Sequence, residues 1–174
     1  EVEVPSWVFG EFGGGRFGDY LPPAPARTTR SKIRDAGFVN RLTGASEYVA
    51  IHVGWDKPEE VAFDDVEAED FDEIHEYMLE NGLEMGAINP TLFLEETHYG
   101  SLSSPLEDVR RRLIRHCVTS CHIARRYGRG LVAYWLPDGS NYPGQVDLWE
   151  QEERVRTAFQ EIYDISSPSV THLI

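Results

Sequence analysis

An α/β fold, with a parallel sheet covered by helices, is what the sequence predicts, and three observations predict it. Short apolar runs alternate with longer stretches of helical period along the whole chain. Gly82 and Gly128 stand just past two of the helical stretches, where a C-terminal cap favours a residue that tolerates positive φ. The longest helical stretch carries an apolar stripe on one side, which requires a sheet to lie on.

The candidate strands are Val2 to Phe9, Tyr48 to Val53, Glu84 to Ile88 and Leu131 to Leu136, each short and apolar. Between and after them lie candidate helices at Thr28 to Leu42, Glu69 to Asn81, Pro105 to Tyr127 and Leu148 to Tyr163. The third helix is the best specified. Ser104 offers an N-cap, Pro105 suits the first turn, and Glu107 and Asp108 favour the positive end of the helix dipole. Its stripe reads Val109, Leu113, Cys117, Cys121 and Ala124, with Arg110, Arg111, Arg112, Arg125 and Arg126 mostly off it.

Right-handed crossovers return each strand beside its predecessor, so this alternation builds four βα units in 174 residues. The count admits two architectures: a small open doubly wound domain, or the first half of an eight-unit barrel of about 250 residues or more. The strand pattern alone does not choose between them.

A chain of 174 residues, 41% hydrophobic and 26% charged, is one domain with enough apolar material for a core. The formal charge of -14 removes the basic footprint that phosphate neutralisation needs. Nucleic acid and membrane surfaces are therefore not expected partners. No run reaches the roughly 18 to 20 apolar residues of a span, and the first residues carry no basic and apolar leader, which suggests the cytoplasm. Cys117 and Cys121, four apart in a helix, suit a reduced intracellular protein. The acidic run from Asp64 to Glu80 reads as a solvated loop and helix face with no catalytic role.

In either architecture ligands gather at the carboxyl ends of the strands. Strand one runs into Ser6-Trp7 and a glycine-rich stretch. Strand two runs into His52-Val53-Gly54-Trp55-Asp56-Lys57, strand three into Asn89-Pro90, and strand four into Trp135 and the turn from Pro137 to Gln145. Three of the four Trp and a strand-borne His thus share one rim. Indole faces beside hydrogen-bonding groups suit a sugar, whose C–H faces pack on aromatics and whose hydroxyls need donors and acceptors. Any single Trp at a strand end is more often rim packing; three with a His favour a ligand site.

Other chemistries fit less well. Gly13-Gly14-Gly15 lacks the Gly-Lys-Ser/Thr ending of a phosphate loop, and Pro22, Pro23 and Pro25 separate it from the next helix. His116-Cys117 and Cys121-His122 do not converge as metal ligands, because the cysteines lie on the core stripe and the histidines flank it. His75 is expected to be solvated. His98, on the loop after strand three, lies within reach of the rim, and His172 near the chain end has no assigned role.

These rim segments resemble the L-rhamnose isomerase family of aldose–ketose isomerases. The matching stretches are Val4-Pro5-Ser6-Trp7, Gly14-Gly15-Arg16-Phe17, His52-Val53-Gly54-Trp55-Asp56-Lys57, Tyr99-Gly100-Ser101-Leu102-Ser103, and Trp135 with Asp138-Gly139-Ser140-Asn141-Tyr142-Pro143-Gly144-Gln145. They stand in family order over residues 4 to 163.

The resemblance implies a (β/α)8 TIM barrel of the xylose-isomerase-like type, of which this chain holds the first four units. It also implies a homotetramer, and conversion of an aldose to its 2-ketose with two divalent cations, commonly manganese. On this resemblance His52 looks like the strand-two histidine that hydrogen-bonds the substrate and assists ring opening. Trp7, Trp55 and Trp135 look like pocket walls, and Phe17 like the loop aromatic that reaches a neighbouring subunit's site. Asp56 would orient Lys57 or His52, or form a plain surface salt bridge.

The chain departs from the family where the metal chemistry lies. The family's metal ligands come from strands five to eight, so none is assigned here, and residues 164–174 do not look like the family's next segment. The expectation is a fragment that binds no cation and is inactive alone. In the complete enzyme the metals would act as Lewis acids while His52 works as general acid or base. A metal-free sugar-binding half-barrel, or a truncated non-catalytic chain, is the alternative reading.

Overall fold

The computed structural model describes residues 2–10, 26–140, 142 and 144–174. Strands β1 (Val4–Pro5), β2 (Tyr48–His52), β3 (Glu84–Asn89), β4 (Leu131–Ala133) and β5 (Thr171–Leu173) lie side by side in chain order, each parallel to the next. A doubly wound sheet reverses its order at a switch point. None occurs among the described residues, so the open doubly wound alternative falls away and the order is that of a barrel wound in one direction.

The helices are α1 (Thr29–Thr43), the single turn α2 (Val53–Asp56), α3 (Asp72–Glu80), α4 (Glu107–Arg126) and α5 (Leu148–Ser166). Right-handed crossovers in a monotonic order set the long helices on one face. Ile33 of α1, Met78 of α3, Leu113 and Cys121 of α4 and Ile162 of α5 accordingly pack with Val49, Ile51, Met85, Ile88 and Val132 of the sheet. Period-two alternation then turns Ala50 and His52 of β2, and Ala133 with Trp135 just past β4, toward the opposite face. That geometry gathers His52 and Trp135 on the side the helices do not cover.

Several boundaries differ from expectation for identifiable reasons. The first strand is cut to Val4–Pro5, and a 3₁₀ turn covers Ser6–Phe9. Pro5 has no N–H for the ladder, and the Ser6 hydroxyl donates to the Asp56 carboxylate instead. Helix α4 begins at Glu107 rather than Pro105, and Ser104 Oγ accepts the Leu106 N–H at 3.2 Å without capping the helix. Gly128 is not in the left-handed region, which Arg129 and Gly130 occupy at φ 59 and 67. It is there for close approach: a Cβ on it would lie 2.6 Å from Ile88 Cγ1 and 3.0 Å from the Gly86 carbonyl oxygen.

The acidic run is more than a solvated face. Asp64 pairs with Arg112 at 2.5 Å, and Glu69 and Asp72 both meet Arg126, at 2.8 and 3.0 Å. Two of the arginines off the α4 stripe, Arg112 and Arg126, thus face the acids of the preceding segment, while Arg111 pairs with Glu161 of α5; each exposed pair adds little stability by itself. His116 is likewise not a flanking residue. It is buried, stacks on Phe63 at 4.3 Å, and its Nε2 accepts the Thr91 N–H at 3.0 Å.

The chain does not stop after the fourth unit. Residues 171–173 form β5, with Leu131, Val132 and Ala133 paired to Thr171, His172 and Leu173. His172 fastens it, since its Nδ1 lies 2.9 Å from the Tyr134 hydroxyl and its Nε2 lies 2.8 Å from Ser166 Oγ. Ser166 Oγ also donates to the Ile162 carbonyl. Its own proton is therefore used, and His172 must donate from Nε2 and accept from Tyr134.

Candidate functional site

The carboxyl end of β2 feeds straight into α2, a tight connection that Gly54 permits by lying against Thr91, whose hydroxyl accepts the Gly54 N–H at 2.9 Å. Asp56 closes this turn and is fully buried. One carboxylate oxygen accepts the His52 backbone N–H at 2.9 Å together with the Ser6 hydroxyl, and the other takes the Lys32 ammonium at 2.7 Å. A buried carboxylate needs such pairing. The group thereby ties the turn after β1, the end of β2 and helix α1 together at one point.

His52 is 6% exposed and stacks on Trp55 with ring centroids 4.6 Å apart and planes at 18°. Among the described residues the hydrogen bond that His52 makes runs from its backbone N–H to Asp56, and none is made by its ring nitrogens. Burial holds its pKa below 6.5, with Asp56 pushing it up and Lys32 pushing it down. The imidazole is therefore neutral at pH 7 and able to accept a proton at one nitrogen while donating from the other. Asn89, register partner of His52 at the end of β3, is buried and donates to the Ile51 carbonyl at 3.3 Å.

A second lock sits on the same rim. Asp138 Oδ1 accepts the backbone N–H groups of Ser101 and Ser103 at 2.8 and 2.9 Å, and its carboxylate also takes both serine hydroxyls. Gln151 of α5 adds a bond to Ser103 Oγ at 3.2 Å and one to the Gly139 carbonyl at 3.3 Å. The loop after β3 and the loop after β4 are thus held as one piece. Trp135 projects beside that piece, 60% exposed, with no ring contact to His52 or Trp55 among the described residues.

Trp55 is the aromatic that the structure brings to His52. Trp7 lies in the 3₁₀ turn after β1, half-buried, its carbonyl accepting the Gly10 N–H at 3.1 Å. Phe17 and the Gly13-Gly14-Gly15 stretch fall outside the described residues. His98 is exposed on the loop after β3, and His75 is half-buried against Tyr127 at 4.9 Å rather than solvated. Asp56 pairs with Lys32, not with Lys57, and it meets the backbone of His52 rather than the ring.

Cys117 and Cys121 are free buried thiols whose pKa burial raises, which makes them unreactive packing groups. Among the described residues no three His, Cys, Asp or Glu side chains converge on a point that could hold a metal ion. No helix among them is long and apolar enough to cross a membrane.

The sequence pattern assigns no role to Lys32, Ser6, Ser101 or Ser103, although the three serines stand in the rim segments. One signal did exist. A carboxylate four residues after a strand-end histidine, inside an otherwise apolar stretch, needs a cation, and the chain contains only two lysines.

Comparisons with known proteins give a family and, separately, a fold. The family model described as L-rhamnose isomerase (RhaA) matches residues 9–169. A protein of Rhizobium meliloti (strain 1021) named "Probable sugar isomerase" is 30% identical over 168 residues, covering 93% of this chain and 36% of that protein. A protein of the same name from Mesorhizobium japonicum is 29% identical over 168 residues, with the same coverage. The chain thus spans about a third of the length of these curated relatives. The structure titled "Structure of L-ribulose 3-epimerase" superposes with a TM-score of 0.60 at 16% identity, over 98% of this chain and 48% of that one. At that identity the likeness establishes the fold alone.

Proposed function

The chain belongs to the L-rhamnose isomerase family, and we propose that it carries the acid–base and aromatic part of a sugar-isomerase site that converts an aldose, L-rhamnose first, to its 2-ketose. The observation that carries this reading is the His52–Trp55 stack. It is a buried, neutral imidazole, neither of whose nitrogens is hydrogen-bonded among the described residues, held against an indole at a strand's carboxyl end. In the proposal His52 exchanges a proton with the ring oxygen of the cyclic sugar so that the ring opens. Trp7, Trp55 and Trp135 cover the sugar's C–H faces, and Phe17 is the loop aromatic from a neighbouring subunit in a cytoplasmic homotetramer.

Two divalent cations, manganese foremost, belong to the proposed complete enzyme, where they would supply Lewis acidity. The described residues do not fit a metal centre. In this reading the ligands lie outside the described residues, and the chain alone binds aldoses without converting them.

Titrating the chain with L-rhamnose by NMR tests this. Saturable shifts at the His52 imidazole and the Trp55 and Trp135 indole N–H groups are expected. Absence of shifts there overturns the reading. So does a response confined to the cavity of about 500 Å³ between α1 and α3, lined by Arg30, Lys57, Glu69 and Glu73.

A further inference from the structure

Lys32 lies in the first turns of α1, away from every segment that carries the family resemblance, yet its side chain is only 14% exposed. Its ammonium is 2.7 Å from Asp56 Oδ1, and Asp56 has no exposure to water at all. The other oxygen of that carboxylate holds the His52 backbone N–H at 2.9 Å and the Ser6 hydroxyl. Three elements thus meet on one charge, and among the described residues one cation balances it.

We propose that Lys32 is a positioning residue for the His52 site: its ammonium balances the Asp56 carboxylate, so that the carboxylate clamps the end of β2 while the pair presents no net charge to the imidazole. A carboxylate this buried takes up a proton when its cation is removed, and a neutral carboxyl is a weaker acceptor for the His52 N–H. If it instead stayed ionised, its bare charge would draw a proton onto His52. Either way the Asp56–His52 pair binds its first proton at a higher pH without Lys32 than with it.

The electrostatic surroundings are simple enough for that result to be read. Asp56 from α2 and Lys32 from α1 are the charged groups acting on His52. Trp55 stacks on the ring, and Asn89 beside it on β3 is neutral. The function of the clamp rests on the reading of His52 as the acid–base group, but its test uses no sugar. A failed sugar titration therefore leaves the clamp standing, and a failed clamp leaves the sugar reading standing.

The experiment follows the Asp56 carboxyl carbon and the His52 imidazole by NMR across pH in the 1–174 chain and in Lys32→Met. The first protonation seen at either group is expected to move up by roughly one pH unit in Lys32→Met and to return to the original value in Lys32→Arg. Identical titrations in the original chain and in Lys32→Met overturn the proposal. Should Lys32→Met fail to fold, the original chain decides. Its Lys32 ammonium protons are expected to exchange more slowly than those of Lys57, with an inflection at the pH where His52 titrates. Free exchange with no such inflection overturns the proposal equally.

Discussion

The carboxylate of Asp138 accepts the backbone N–H of Ser101 at 2.8 Å across 37 positions of sequence. The same oxygen takes the Ser103 N–H, and both serine hydroxyls donate to the group as well. Hydrogen bonds to an ionised acceptor contribute more than neutral ones, and here they join the loops after β3 and β4. Asp138→Ala is expected to cost about 2 to 4 kcal/mol, read from the denaturation midpoint. A cost within the scatter of ordinary surface substitutions would show that the loops hold together without it.

Gly100 stands inside this lock at φ 103, a conformation that side chains avoid. A Cβ there would collide with Ser103 Oγ and lie 3.0 Å from Asp138 Oδ1. Gly100→Ala is therefore expected to lower stability by about 2 kcal/mol or more. In Asp138→Ala the added loss should be smaller, since part of what the methyl group displaces is already gone. Full additivity in the double variant would place the strain in the backbone alone.

Acid should weaken the fold through His116. Burial, helped by Arg112, pulls its pKa down to about 4, whereas in the unfolded chain it titrates near 6.5. Between those values the unfolded state binds more protons, so stability rises with pH through that window and is fully present above about 6.5. The group's contribution, on the order of 3 kcal/mol, is lost as pH falls from 6.5 toward 4. His52 and His172, also lowered by burial, act with the same sign. His116→Gln, whose carbonyl can still accept the Thr91 N–H, should flatten the midpoint-versus-pH curve without abolishing its slope. An unchanged slope would remove His116 from the account.

The helix layer is legible in the sequence because burial and period coincide: Leu113, Cys117 and Cys121 recur at four-residue steps and all are fully buried. His116 escapes that logic, since its burial depends on an acceptor role toward Thr91 and on the Phe63 ring, both supplied by distant segments. Strand order is invisible in local pattern, which is why an open sheet and a barrel remain equal until the parallel ladder of five strands is seen. Residue type and strand-end position suffice to set His52 and Trp55 on one rim, where the structure stacks them. Lys32 and the serines bound by Asp138 are ordinary in composition and acquire a role only through contacts 24 to 37 positions away. The β5 strand is missed because Thr171-His172-Leu173 is too short to carry a period, and what holds it is the pairing of His172 with Tyr134 and Ser166.

Trp135 separates packing from recognition most directly. It follows Tyr134, which is buried against Phe159 at 5.0 Å on the helix side, so alternation sends its own indole to the uncovered side. There it is 60% exposed. Truncating a buried tryptophan costs about 3 to 5 kcal/mol, but a ring left mostly in water has little packing to lose. Trp135→Ala is therefore expected to shift the denaturation midpoint by less than about 1 kcal/mol. In the proposed site the same change should weaken L-rhamnose binding by roughly tenfold, equivalent to about 1.4 kcal/mol for the lost sugar–indole contact. A large stability loss with unaltered sugar binding would return Trp135 to the role of a rim packing residue and leave Trp55 as the indole that faces the ligand.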